Sequence, residues 1–403
     1  MMSKVGIIGG GPSGLMAAIE AAKNPNNKVV VLERNSSCCK KLLLTGNGRC
    51  NLTTILPINE MVESYYDKGK FLYSAFYQFS NYDLIDFFEK NGLKTKIEGT
   101  KVFPESDLAN DVRKVLLKCA KDNSVKIKNN CLIKKIDYFL DHNKFLVDDS
   151  YFDYLVIATG GITYKATGSD GIGYRLAKSL NHSVVQPQPA LGSMNTEIFD
   201  KLQGLALEVN QVSYFIDNEL IASEKGSVLF THFGLSGPPI INLSYYATGK
   251  GNHHYLVVSL FGRDNIRNKL DDLIKDNSAK QFNNILGLLL PKRLAHFLFD
   301  EALLSKQTAH VTKEEIKQVE KKLTYWKINI FGINDHDKSM ATKGGVCLEN
   351  INPKTMMSKI IKNLYFTGEL IDIVGKTGGF NLQMAFSTGF VAGKSIKKGE
   401  NDG

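Results

Sequence analysis

The sequence predicts an α/β fold in three parts: one domain made of both chain ends, a β-rich middle, and a small helical insertion. Three observations predict it. The first 33 residues read strand, glycine turn, helix, strand. After a long strand-like interval the last stretch, from Asn363, returns to strand, turn and helix. Between them, residues 264–327 are lysine-rich and amphipathic.

Taken in order, KVGIIG (Lys4–Gly9) is an apolar, β-branched buried strand, GGGPSG turns, LMAAIEAAK is a run of helix formers, and KVVVLE ends a second buried strand at Glu33. Residues 60–120 are mainly helical: YDLIDFFEKNG places apolar side chains at i, i+3 and i+4 and stops at Gly92, and DLANDVRKVLLKCAKDN repeats the pattern. VKIKNN, CLIKKIDYFL, KFLVDD and DYLVIATGG, over residues 125–161, are strands separated by Asn and Asp turns. Past Pro187 and Pro189 the texture becomes LALEVNQVSYFID, SVLF and HYLVVSLF, which marks a boundary to a β-rich domain. DNIRNKLDDLIK and KEEIKQVEKKL form the helical insertion, and NLYFTGE with its following helix completes the first sheet. The division is therefore 1–188 with 346–403, 189–263 with 328–345, and 264–327.

Gly9, Gly11 and Gly14, with Pro12 and Ser13 between them, form GxGxxG. The missing side chains permit a tight turn, close approach of a pyrophosphate, and close packing of helix on strand. With a strand before, a helix after, and Glu33 closing the next strand to accept from a ribose diol, this is a Rossmann dinucleotide site. The turn alone does not separate NAD from FAD. Two later elements favour FAD. LVIATGG ends a strand in Ala158, Thr159, Gly160 and Gly161, a second connection approaching the dinucleotide. In the second, Gly368 and Glu369 end a strand, Glu369 is placed for the ribityl chain, and Gly378, Gly379, Phe380 and Asn381 open a helix whose positive end would face a reduced flavin.

Charge and cysteine content bound the function. The net charge of +9 is spread along the chain without a block of like charges, so phosphates of a dinucleotide account for it and nucleic acid is an unlikely partner. No apolar run reaches the ~18 residues of a membrane span, and no export signal opens the chain. Six cysteines without a CxxC pair fit a reducing, cytoplasmic setting; oligomeric state is not legible. No HExxH, metal-ligand cluster, GxSxG or Walker loop is present, so no metal is expected.

With KKLLLTGNGRCNLT (Lys40–Thr53), FPESDLANDV (Phe103–Val112), ATGGITYKATGSDGIGY (Ala158–Tyr174), FTHFGLSGP (Phe230–Pro238) and the series from Thr355 to Gln383, the chain resembles, nearly end to end, bacterial FAD-dependent oxidoreductases of the aminoacetone-oxidase-like or bile-acid-inducible flavoprotein type. The resemblance implies a two-dinucleotide-type FAD domain from both chain ends, a β-barrel-like middle and an inserted helical domain. It implies that Lys41, Thr45, Gly46, Arg49, Cys50 and Asn51 line the cofactor, with Arg49 offsetting phosphate charge. Arg34, Ile133, Asp372 and Gln383 complete the expected cofactor set. The chain departs from the family pattern at Thr163, Lys165, Asp170 and Ile172.

These readings give non-covalent FAD, NADH or NADPH as a candidate electron donor, and hydride transfer between a nicotinamide or small organic substrate and a second acceptor, a further substrate or oxygen, through flavin N5. The family names imply amine oxidation with oxygen or reduction of a double bond in a steroid-like enone. His232, in a turn-rich segment of the middle domain, is the candidate catalytic acid or base; otherwise it is satisfied by backbone. Thr342, Gly344 and Gly345 are a second wall of the pocket or a bulge. Cys38 and Cys39 are bystanders, and Cys50 is a packed thiol before it is a nucleophile. The rival readings are a tRNA-modifying FAD protein, which needs a contiguous basic face, and a non-catalytic flavin-binding regulator.

Overall fold

The computed structural model describes residues 2–197, 199–247, 251–333 and 336–398. They form two compact units, Met1–Pro189 with Asp337–Gly403, and Ala190–His336.

The first unit is α/β. Strands β1 (Ser3–Ile8), β2 (Asn27–Leu32), β3 (Lys126–Lys128), β4 (Tyr154–Ile157) and β5 (Leu364–Phe366) form one parallel sheet in the order β5-β4-β1-β2-β3. Ile8 lies opposite both Leu32 and Ile157, and Ile157 opposite Phe366, so four strands end level at their C-terminal edge. The sheet is covered on both faces, which is why β1 and β2 read as continuous apolar runs. Val5 and Ile7 pack into a cluster with Leu15, Ile19 and Leu116; Ile8, Leu155 and Ile157 pack into a second with Phe145 and Leu176. Helix α1 (Pro12–Ala22) and α2 (Ala109–Asp122) precede a long C-terminal helix, α3 (Phe380–Lys398). Close packing of α3 on α1 rests on glycine: a Cβ at Gly389 would stand 2.2 Å from the Ser13 carbonyl oxygen.

Two stretches of this unit differ from the sequence expectation. Inside the mainly helical region, Thr95–Glu98 and Lys101–Pro104 make a hairpin about Gly99 (φ +62°), joined by Thr53–Thr54. Four-residue strands are too short to show alternation. Cys131–Lys135, expected to open a strand, has no regular structure; pairing begins at Ile136.

The second unit is a closed antiparallel barrel of Met194–Thr196, Ala206–Ile216, Glu219–Thr231, Gly234–Ser236, His254–Ser259 and Trp326–Ile333. Met194 pairs with both Leu235 and Ile333 and closes it. The helices between residues 263 and 324 do not have a core of their own: Leu270, Phe282, Leu294 and Val319 share one with Tyr214, Phe230, Leu256 and Ile328 of the barrel.

Residues 341–345, expected to end the middle domain, belong to the first unit. Ala341–Val346 pairs with Val184–Ala190 in a two-stranded sheet. Gly344 (φ +88°) and Gly345 (φ +142°) let it lie where a Cβ would meet the Gln186 and Leu370 carbonyl oxygens at 2.5 Å each.

Candidate functional site

A cleft runs along the C-terminal edge of the parallel sheet, with an empty volume of about 1140 Å³ that includes its solvent-open part. Its floor is the glycine turn. Gly9 has φ +106°, and a Cβ there would stand 2.4 Å from the Ala158 carbonyl oxygen; one at Gly14 would stand 2.0 Å from that of Gly9. Gly11, extended, precedes Pro12 at the start of α1, and no side chain caps that end. The uncapped first turn, lined by Gly11, Pro12 and Ser13, is an anion-binding end.

On the β2 side the wall is Glu33, Arg34 and Asn35, with Ile133 from the segment after β3. Glu33 is buried, and its carboxylate accepts from Gly10 N (2.7 Å), Asn35 N (2.8 Å) and Asn35 Nδ2 (2.7 Å). Those bonds fix its rotamer at the end of the strand, as a ribose-binding acid requires.

On the β4 side, Ala158, Thr159 and Gly160 line the cleft, and Thr159 Oγ1 is buried with no hydrogen-bond partner in the protein. Glu369 reaches the cleft from the segment after β5. It accepts from Lys41 Nζ (2.7 and 3.0 Å) and from Thr342 N (2.8 Å), while Lys41 also donates to Thr163 Oγ1 at 2.8 Å. Asn381, Leu382 and Ala385 bring the first turns of α3 to the same cleft. Gly378 (φ +127°) and Gly379 (φ +94°) make that approach, and Asn381 is held by reciprocal 2.8 Å bonds with the Gly375 backbone. With its amide oriented to satisfy both neighbours, Asn51 accepts from Gly379 N at 3.1 Å and donates to Thr53 O at 3.0 Å.

The structure therefore brings Gly9, Gly11, Pro12, Ser13, Glu33, Arg34, Lys41, Thr45, Ile133, Ala158, Thr159, Gly160, Glu369 and Asn381 to one cleft. Other predicted residues lie behind it. Gly161 leaves room for Thr342 Oγ1, 2.0 Å from where its Cβ would be, and Gly368 leaves room for Ser13 Oγ at 2.5 Å. Gln383, fully buried, accepts from Thr53 Oγ1 at 2.6 Å, and the Phe380 carbonyl accepts from Tyr65 Oη at 2.7 Å. Asp372 is buried and paired with Lys68; burial pushes its carboxyl up against the opposing pull of that ammonium. Gly46 (φ +57°) shapes the loop that carries Lys41 and Thr45.

Three expectations meet a different geometry. Arg49 does not line the cleft: it pairs with Glu98 (2.5 Å) and Asp107 (2.7 Å) and stacks on Phe103, so two carboxylates already balance its charge. Cys50 does not line the cleft: its thiol is buried and pushed up to about 12 by that burial, in keeping with a packed thiol. His232 is exposed in the turn between Glu219–Thr231 and Gly234–Ser236, edge-on to Phe233, and is not among the lining residues. Sequence reasoning missed Asn35, Thr167, Gly168 and Met340. Asn35 was findable, two residues beyond the strand-ending acid; Met340 was not, because its segment read as part of the middle domain.

The residues fit an FAD-like dinucleotide: a tight glycine turn in which Gly11 is open where a side chain would stand, and two helix starts facing one cleft. Among the described residues no group of three His, Cys, Asp or Glu is placed to hold a metal. No described helix is long and apolar enough to cross a membrane.

Comparison with known proteins bears on this site. The chain is 30% identical over 420 residues to the 3-dehydro-bile acid delta(4,6)-reductase of Clostridium scindens, covering 98% of this chain and 99% of that protein. It is 26% identical to the ribosomal RNA dihydrouridine synthase of Haemophilus influenzae, covering 97% and 98%. The solved 3-ketosteroid delta1-dehydrogenase of Sterolibacterium denitrificans, in complex with 1,4-androstadiene-3,17-dione, shares the fold at a TM-score of 0.52 and 11% identity, covering 99% of this chain and all of that one. The family model described as HI0933-like protein Rossmann domain matches residues 3–395. Relatives along the whole chain are enzymes. The chain belongs to that HI0933-like Rossmann family and is an FAD-dependent oxidoreductase.

Proposed function

We propose that the protein reduces a carbon–carbon double bond conjugated to a carbonyl in a small molecule, with NADH or NADPH as the electron donor. The observation that carries this is the single cleft onto which the starts of α1 and α3 both open, with Glu33 on one wall and Glu369 on the other. Two relatives supply the reaction class. The Δ4 bond of a 3-keto bile acid and the ring bond saturated in dihydrouridine are both polarised by an adjacent carbonyl. When bound, FAD would supply a two-electron relay between the nicotinamide and the substrate, whose double bond gains a hydride at the β-carbon and a proton at the α-carbon.

The chain's own residues bind and orient. The first turn of α1 holds pyrophosphate, Glu33 holds the ribose diol, Lys41 fixes Glu369 toward the ribityl hydroxyls, and the positive end of α3 favours the charge of the reduced ring. The six free cysteines support a reducing, cytoplasmic setting.

The test is anaerobic stopped-flow reduction of FAD-loaded protein by NADH or NADPH, followed by mixing with a steroid 4-en-3-one. Bleaching by one nicotinamide and reoxidation by the enone are expected. Failure of both nicotinamides to bleach a bound flavin would overturn the reductase reading. A second reading, reduction of uridine in RNA, draws on the ribosomal RNA relative and the net charge of +9; reoxidation by structured RNA and not by the enone would establish it.

A further inference from the structure

The segments after β2 and after β4 rise on opposite sides of β1, because β1 lies between those strands in the sheet. A dinucleotide lying over the C-terminal end of β1 sits between them. The two segments are tied together across the cleft. Arg34 Nη1 pairs with Asp170 Oδ2 at 2.6 Å and reaches the Gly168 carbonyl oxygen at 3.4 Å; Asn35 Nδ2 donates to the Thr167 carbonyl oxygen at 2.9 Å. Gly168, at φ +101°, makes the close approach possible, since a Cβ there would stand 2.6 Å from Asn35 Nδ2. Arg34, Asn35, Thr167 and Gly168 all line the cleft. Asp170 is held from its own side by Ile172 N at 3.1 Å, so the loop presents it as a fixed partner.

We propose that Arg34 and Asp170, with the Asn35 bond to Thr167, form a clasp over the Glu33 end of the cleft that retains the adenosine half of the bound dinucleotide. The clasp rests on the cofactor assignment above and adds to it a determinant of release. A dinucleotide held by the α1 start and Glu33 alone would leave upward from the sheet edge; with the clasp closed it must wait for the tie to open. Both partners of the ion pair are 31% exposed, so water and salt reach it. Its opening is therefore sensitive to ionic strength, and its contribution is that of a half-exposed pair plus one hydrogen bond.

The experiment follows FAD release from holoprotein by flavin fluorescence anisotropy after dilution. Asp170→Asn and Arg34→Met should each release FAD about three- to tenfold faster than the parent at low salt. Parent release should accelerate with added salt and release from the variants should not. The charge-exchanged protein R34D/D170R should regain slow release. Release from the single variants within twofold of the parent, with FAD still bound, overturns the clasp and leaves the cofactor assignment standing. A parent protein that binds no FAD overturns both.

Discussion

Gly14→Ala is the sharpest test of how the cleft is built. The new Cβ would lie 2.0 Å from the Gly9 carbonyl oxygen, about 1.4 Å short of ordinary contact, and 3.3 Å from the Ala158 side chain. The colliding atom is backbone in the glycine turn, so no rotamer change relieves it. Nor can α1 retreat, since α3 already packs at Gly389 against the Ser13 backbone. Overpacking of this kind costs about 1–3 kcal/mol, against a gain of about 1 kcal/mol from alanine's helix propensity. With backbone on both sides the upper part of the range applies, a net loss of about 2 kcal/mol. For a unit of this size that lowers Tm by about 4–8 °C. The first turn of α1 must also shift, taking its N–H groups away from the pyrophosphate, and FAD affinity should fall at least tenfold, or ~1.4 kcal/mol.

Gly11→Ala is the matched control. Nothing lies within 4 Å of a Cβ built there, and φ is −78°, yet the residue lines the cleft. That variant should lose FAD affinity with little loss of stability. Thermal melting of the apoproteins by circular dichroism and FAD titration by fluorescence separate the two effects. A Gly14→Ala protein that melts with Gly11→Ala would refute the reasoning that Gly14 is there for packing of helix on turn.

Two further outcomes follow from titratable groups. Burial pushes the Cys38 and Cys50 thiols up to about 12 and holds Cys39 well above its ordinary value, so iodoacetamide at about pH 8 should spare all three in the native protein. Cys131, half-buried on the cleft wall, should be labelled and protected by FAD; mass spectrometry reads both, and early labelling of Cys50 would return it to the candidate nucleophiles. At the small sheet, hydrogen bonds from Lys96 and Arg49 hold the Asp107 carboxyl below the usual range, and those from Arg49 and Lys96 do the same for Glu98. A depressed carboxylate contributes stability above the ordinary value that is lost as pH falls through the folded one, so urea midpoints should drop below about pH 4. Asp107→Asn should flatten that slope; an unchanged slope would place the acid sensitivity elsewhere.

How much of this was legible in the sequence depended on range. The βαβ unit at the N-terminus is a local pattern: strand, turn and helix each announce themselves within a dozen residues, and Gly9, Gly14 and Glu33 stand where the spacing put them. The return of the chain to the same sheet at Leu364–Phe366 was also readable, because a short apolar strand followed by glycines and a helix has few other uses. The hairpin Thr95–Pro104 was not, being two strands of four residues inside a helical neighbourhood. Nor did the helical insertion show that it shares the barrel's core, since amphipathicity gives a face to bury and not the partner that buries it.

Lys41 and Arg49 show where local reading ends. Both flank the same TGNG turn, both are cations, and both were expected at the cofactor. Which one reaches the cleft is decided by acids far away in sequence. Glu369, 328 positions on, draws Lys41 into the cleft wall together with Thr163. Glu98 and Asp107 take Arg49 to the small sheet, where Phe103 supplies a ring for the guanidinium to lie on. An arginine beside a dinucleotide motif is a phosphate ligand only if nothing nearer neutralises it, and here two carboxylates do. The family resemblance supplied the pair of candidates; the folded charges chose between them, and placed the lysine, not the arginine, beside Glu369.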